Sequence, residues 1–193
     1  MLVVIRGAGD IATGIALRLF RSGIKIVMTD LPQPTSIRRT VCFSEAIRHG
    51  SATVEGVEAV LAKDAAEAKT LAESGRVAVL ADPQADCVRE LKPDALVDAI
   101  LAKKNLGTRI TDAPVVVAVG PGFTAGADCH AAVVDGKPML CRIDGCLRGL
   151  MQEGAVVFKG MKCGDVDPRG IPDNCTTASD KAIAVGGGVL EAI

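Results

Sequence analysis

The stretch Gly7-Ala-Gly9-Asp10-Ile-Ala12 has the chemistry of a ligand site. Glycine, glycine and alanine at G-x-G-x-x-A spacing let a backbone turn tightly beside a phosphate, and a helix starting there offers that phosphate its free N–H groups. Asp30 stands where an acid would bind the ribose of a nucleotide without a 2′-phosphate. Asp10 works against this reading, because a carboxylate at the helix start can occupy the positive end itself and would repel a pyrophosphate. A simple helix cap is therefore an equal alternative. Arg38 and Arg39 could clamp an anion bidentately, or could be a solvated pair on a loop. Lys103 and Asn105 leave the same two readings open. Gly120, Gly122 and Thr124 lie in a glycine-bounded loop whose amides could form an anion nest. Two candidates suit bond-making steps. His130 could serve as acid, base or ligand. Cys175 lies in the polar stretch Asp173-Asn-Cys-Thr-Thr177, with Lys181 near enough in sequence to favour a thiolate.

The apolar pattern supplies the elements to position these groups. Leu2 to Arg6 predicts a strand, and Ile11, Ile15 and Leu19 predict one face of a helix that Gly23 closes. A second apolar run ends at Asp30. Further strands are predicted at Arg76–Ala81, Ala95–Leu101 and Pro114–Val119, with helices at Val41–His49, Asp64–Glu73 and Gln84–Leu91. Residues 51–62 read as an extended excursion. This alternation predicts an α/β fold, a Rossmann-like, doubly wound, mostly parallel sheet over residues 1–134. The strands of such a sheet end on one edge, where ligands bind. Residues 135–193 read as a small glycine-rich β module. Ser179 begins a helix there, but Gly186-Gly-Gly188 favours a turn or a close backbone contact over a continuous helix.

The totals narrow the classes of function. Of 193 residues 49% are hydrophobic, yet there is no Trp or Tyr and only four Phe, so the core must be aliphatic. A net charge of −1 argues against a nucleic-acid or membrane partner. The seven cysteines form no Cys-x-x-Cys pair, so no metal site is expected. Met1 leads straight into a strand, and a cytoplasmic protein with reduced thiols is the expectation.

Taken in order, the motifs resemble a known family. They are Arg6-Gly-Ala-Gly-Asp-Ile-Ala-Thr-Gly14, Pro34-Thr-Ser-Ile-Arg-Arg39, the run from Val97 to Thr108, Gly120-Pro-Gly-Phe-Thr-Ala-Gly126, Ile143-Asp-Gly-Cys-Leu-Arg-Gly149, Lys159 to Arg169, and Ser179-Asp-Lys-Ala182. The chain resembles the YqeB-type proteins of the selenium-dependent molybdenum hydroxylase system, which are distantly similar to XdhC-type molybdenum cofactor chaperones. It departs from them where Val134 passes almost directly into Lys137-Pro-Met139, a place where such proteins carry a longer segment. The resemblance implies an accessory protein that matures molybdenum hydroxylases carrying labile selenium, with the hydroxylase apoprotein as partner. A homo-oligomer stays open. The cargo would be the molybdenum cofactor or a nucleotide. Gly7, Gly9 and Asp30 would shape its site, and Arg38, Arg39 and Lys103 would neutralise its phosphate. The loop from Gly120 to Gly126 would close over it, and Cys175 would hold sulfur or selenium. Two competing readings are an NAD-dependent oxidoreductase using His130 and a non-catalytic, protein-binding scaffold.

Overall fold

The structure, a computed structural model, describes residues 1–120, 122–133, 146–150 and 164–193. Most of the glycine-rich stretch beyond residue 135 lies outside these, including Gly154 to Phe158 and Met161-Lys-Cys163. The elements run β1 (Leu2–Arg6), α1 (Asp10–Arg21), β2 (Lys25–Thr29), α2 (Glu45–His49), β3 (Ser51–Val54), β4 (Val57–Leu61), α3 (Ala65–Glu73) and β5 (Val77–Leu80). Then come α4 (Cys87–Leu91), β6 (Ala95–Asp98), β7 (Val115–Val119), β8 (Ala131–Val133), β9 (Cys146–Leu150), β10 (Gly164–Asp167) and α5 (Asp180–Ala192).

Eight strands form one sheet in the order β3-β4-β5-β2-β1-β6-β7-β8, and every neighbouring pair is parallel except the β3–β4 hairpin. The six strands from β5 to β8 have the doubly wound order, which reverses between β1 and β6. The predicted α/β, Rossmann-like fold is therefore present. The extended excursion over 51–62 is the hairpin, turning at Glu55-Gly56 with φ of 47° and 78°. Positive φ at both central residues gives the turn whose twist suits flanking strands.

Alternation along the strands divides the core between two faces. Val3, Ile5, Ile26, Met28, Val97 and Val117 pack with Ile11, Ile15 and Leu19 of α1. Val4, Val27, Ala78, Leu96 and Val116 pack on the opposite face with Ala68, Leu71 and Leu91 of α3 and α4. Burial on both faces is why these strands are almost continuously apolar.

Among the described residues no helix lies between β6 and β7 or between β7 and β8. Helix α5 instead packs on the face that carries α1, where Ala182, Val185 and Val189 join the core of α1 and β7. Of the two expectations for Gly186-Gly-Gly188, the turn is corrected, because α5 is continuous through all three glycines, whereas the close backbone contact is present at Gly186. Ser179 caps it by accepting from the Ala182 amide at 3.2 Å. The glycines lower helix propensity by roughly 1 kcal/mol each relative to alanine. Tertiary packing explains the one at 186, where an added Cβ would lie 3.0 Å from the Gly14 carbonyl oxygen and the Arg18 Cβ. The pairs 14 with 182 and 18 with 186 show that α1 and α5 run in the same direction.

Close contact between these helices makes a usually favourable change harmful. A Cβ on Gly14 would sit 2.5 Å from the Ala182 Cβ. Gly14→Ala is expected to destabilise the protein by about 1–3 kcal/mol through overpacking, although glycine to alanine inside a helix ordinarily helps. Urea unfolding measures this, and adding Ala182→Gly should recover part of the loss. Unchanged stability in Gly14→Ala would contradict the packing.

Candidate functional site

Where the strand order reverses, the ends of β1, β2 and β6 open into a cleft of about 1420 Å³. The sheet explains its place, since flanking loops diverge at a switch point. The glycine turn forms one side. Gly7 has φ 105° and lies against the exit of β6, where a Cβ would be 3.0 Å from the Ala99 carbonyl oxygen. Gly9 is the N-cap of α1 and supplies no capping side chain. The first-turn amides of α1 have no partners within the helix and carry its positive end.

Asp30 also lines the cleft and braces the turn. One carboxylate oxygen accepts from the Ala8 amide at 2.9 Å, and the other accepts from the Leu31 amide at 2.7 Å. Burial raises its pKa above the ordinary carboxylate value, while these two amides pull it down.

The expected arginine pair divides. Arg39 turns outward and donates to Glu45 from Nε and Nη2, at 3.1 and 2.9 Å. Arg38 is buried and lines the cleft. Its Nη1 donates to Asp10 at 2.8 Å, and its Nη2 donates to the carbonyls of Asn174 and Thr177 at 2.7 and 3.0 Å. The Asp10 carboxylate thus faces a guanidinium rather than standing alone at the helix start, which lessens its repulsion of an anion.

This contact begins a ladder of alternating charges. Arg38 lies 3.9 Å from Asp165, Asp165 pairs with Arg148 at 2.8 Å, and Arg148 with Asp167 at 3.2 Å. Asp167 then pairs with Arg169 at 2.7 Å, and Arg169 with Asp180 at 3.2 Å. The ladder joins the first residue of α1 to the first residue of α5. Arg169 holds the Asp167 carboxyl well below the usual range.

Sequence reasoning missed Arg6, which reads as the end of a strand. It is buried, and Nη1 donates to Thr108 at 3.0 Å and Asp98 at 3.3 Å. Nη2 donates to the carbonyls of Leu106 and Pro83 at 3.1 and 3.3 Å. The Thr108 hydroxyl in turn donates to Asp98 at 2.6 Å. The available signal was a single cation closing an apolar run just before the glycine turn. The ladder partners Arg148, Asp165 and Arg169 also line the cleft, and sequence reasoning gave them no role there.

Gly7, Gly9, Asp10, Asp30 and Arg38 therefore come together at the cleft. Lys103, Asn105, Gly120, Gly122, Thr124, His130 and Cys175 do not line it. Asn105 instead fastens its own loop, accepting from the Gly107 and Thr108 amides and donating to Asp128. Asp128 accepts from the Thr124 amide, and Gly122 lies against the backbone of Lys104. These loops brace each other beside the cleft, and Lys103 is exposed. His130 is exposed, and its Nδ1 accepts from the Val116 amide at 3.0 Å. Cys42, Cys87 and Cys129 are buried, which pushes each thiol pKa upward. Cys175 is half-buried.

Four polar atoms at the cleft are buried without a hydrogen-bond partner among the described residues. They are Arg6 Nε, Asp10 Oδ1, Thr29 Oγ1 and Arg38 Nε. Buried polar atoms are ordinarily satisfied, so such a cluster calls for an explanation.

The full chain aligns with YqeB of Escherichia coli strain K12 at 42% identity over 254 positions. The chain is a relative of YqeB. That protein is described as uncharacterized, and this chain spans about half of its length, 47%. The alignment has 254 positions against 193 residues here, so the YqeB stretch includes residues that this chain lacks. No family model and no solved structure matches the chain. No described helix is long and apolar enough to cross a membrane.

Proposed function

We propose that the cleft binds a small molecule bearing phosphate and that the chain serves as an accessory protein in maturing selenium-dependent molybdenum hydroxylases. The meeting of the glycine turn, the start of α1 and Arg38 at one cleft carries the binding part of this reading. The glycine turn and the start of α1 suit a phosphate, and the Asp10–Arg38 pair reduces the like-charge penalty there. The maturation part rests on the ordered motifs of the hydroxylase-system resemblance. In this reading the molybdenum cofactor or a nucleotide is cargo, the hydroxylase apoprotein receives it, and Cys175 carries sulfur or selenium.

Two measurements test the parts separately. Mass spectrometry of small molecules released from the denatured protein should find a phosphate-bearing heterocycle. A protein that releases none, and that phosphate compounds at millimolar concentration do not stabilise, would lack the binding function. A hydroxylase purified from cells deprived of this protein should have reduced molybdenum or selenium. Full content of both would remove the maturation role.

A further inference from the structure

Among the described residues large apolar side chains are mostly buried or half-buried, and most of the exposed ones gather in one place. Five are exposed among the described residues, and three of these, Leu31, Leu101 and Leu106, line the cleft. They come from two separate loops, one after β2 and one after β6. Pro83 and Ile100 add to the same lining.

The second loop is held in place from the polar floor. Asp98, fixed by Arg6 and Thr108, accepts from the Ile100 amide at 3.3 Å. Gly7 lies against Ala99, and Arg6 donates to the Leu106 carbonyl. Within this loop Leu101 has φ 58°, in the left-handed region that a leucine rarely adopts. Such strain persists where surrounding structure enforces it, and it concentrates at ligand-binding segments. The leucine is therefore exposed by a loop that the cleft floor holds in shape.

The cleft thus has two chemistries. Its floor offers the glycine turn, Asp30 and the start of α1, and its lip offers leucine side chains. An inorganic or sugar phosphate would leave that lip wet. A flat ring would cover it, as mostly apolar ligand sites with a few placed polar groups do.

We infer that Leu31, Leu101 and Leu106 hold a planar heteroaromatic ring, making the ligand a heterocyclic phosphate of the nucleotide class. This rests on the phosphate-binding reading and narrows its chemical class. The ring lies at the leucine lip, and the phosphate lies over the floor.

Calorimetric titration with AMP, GMP, CMP, adenosine and inorganic pyrophosphate tests both levels. At least one of the three nucleotides should bind ten-fold or more tightly than pyrophosphate. The double variant Leu101→Asn, Leu106→Ser should lose about ten-fold of that nucleotide affinity and bind pyrophosphate as before. Asparagine tolerates the left-handed backbone, so the loop can keep its shape. If all three nucleotides bind no more tightly than pyrophosphate, the ring site is wrong and the phosphate reading stands. If adenosine matches AMP, the ring site stands and the phosphate reading fails. If none of the five compounds binds, both fail. Unchanged nucleotide affinity in the double variant would overturn the assignment to these leucines, and they would then be candidates for a protein contact.

Discussion

Replacing Arg38 by alanine should cost the fold about 3–5 kcal/mol, the range for removing one member of a buried, hydrogen-bonded ion pair. The guanidinium is nearly inaccessible and meets three acceptors, the Asp10 carboxylate and the carbonyls of Asn174 and Thr177. Alanine would leave all three without their donor. The change would also remove the bonds that hold the segment before α5 against the cleft. Two readouts are expected, a lower urea midpoint and faster amide exchange over residues 171–180. Arg38→Lys should fall between wild type and alanine, because an ammonium keeps the charge but cannot reproduce the guanidinium fork. A loss under about 1 kcal/mol for alanine would mean that the pair behaves as an exposed one.

Arg6→Met should have a comparable cost, again about 3–5 kcal/mol, for a different reason. Asp98 is fully buried, and Arg6 is its cationic partner. Methionine fills much of the space but leaves the carboxylate with only the Thr108 hydroxyl and the Ile100 amide. Adding Asp98→Asn removes the stranded charge, so the double variant should be more stable than Arg6→Met alone. Urea unfolding of the four proteins in that cycle gives the coupling directly. Additive losses would show that the two side chains do not act as a pair. The nucleotide binding proposed for the cleft should also weaken in Arg6→Met, since Arg6 both lines the cleft and fixes the loop carrying Leu101 and Leu106.

Sequence pattern exposed the parts of this protein that obey local rules. Alternating strands, the glycine turn and Asp30 could be placed because each announces itself within a few residues. Their common edge then followed from the rule that parallel strands end together. Arg38 was legible as a cleft residue, but its role was not. Its carbonyl partners are 136 and 139 residues away, beyond any local spacing. Arg6 was hidden differently, because a cation at a strand end gives no sign of whether it points into solvent or into a buried network. At Gly186 local reasoning allowed a close backbone contact but neither its partner nor the continuity of α5. There the relevant fact is a contact with Gly14 and Ile15, and helix propensity alone points the other way.

The parallel pairing of α1 and α5 has a consequence for biosynthesis. As the polypeptide leaves the ribosome, the apolar stripe of Ile11, Ile15 and Leu19 can settle on the sheet early, but its other neighbour is made much later. Until Ala182, Val185 and Val189 arrive, one flank of α1 stays open to water or to a chaperone. The ladder from Asp10 to Asp180 cannot form before that moment either. The cleft is completed equally late, because Arg148, Asp165 and Arg169, which line it, are made long after the glycine turn.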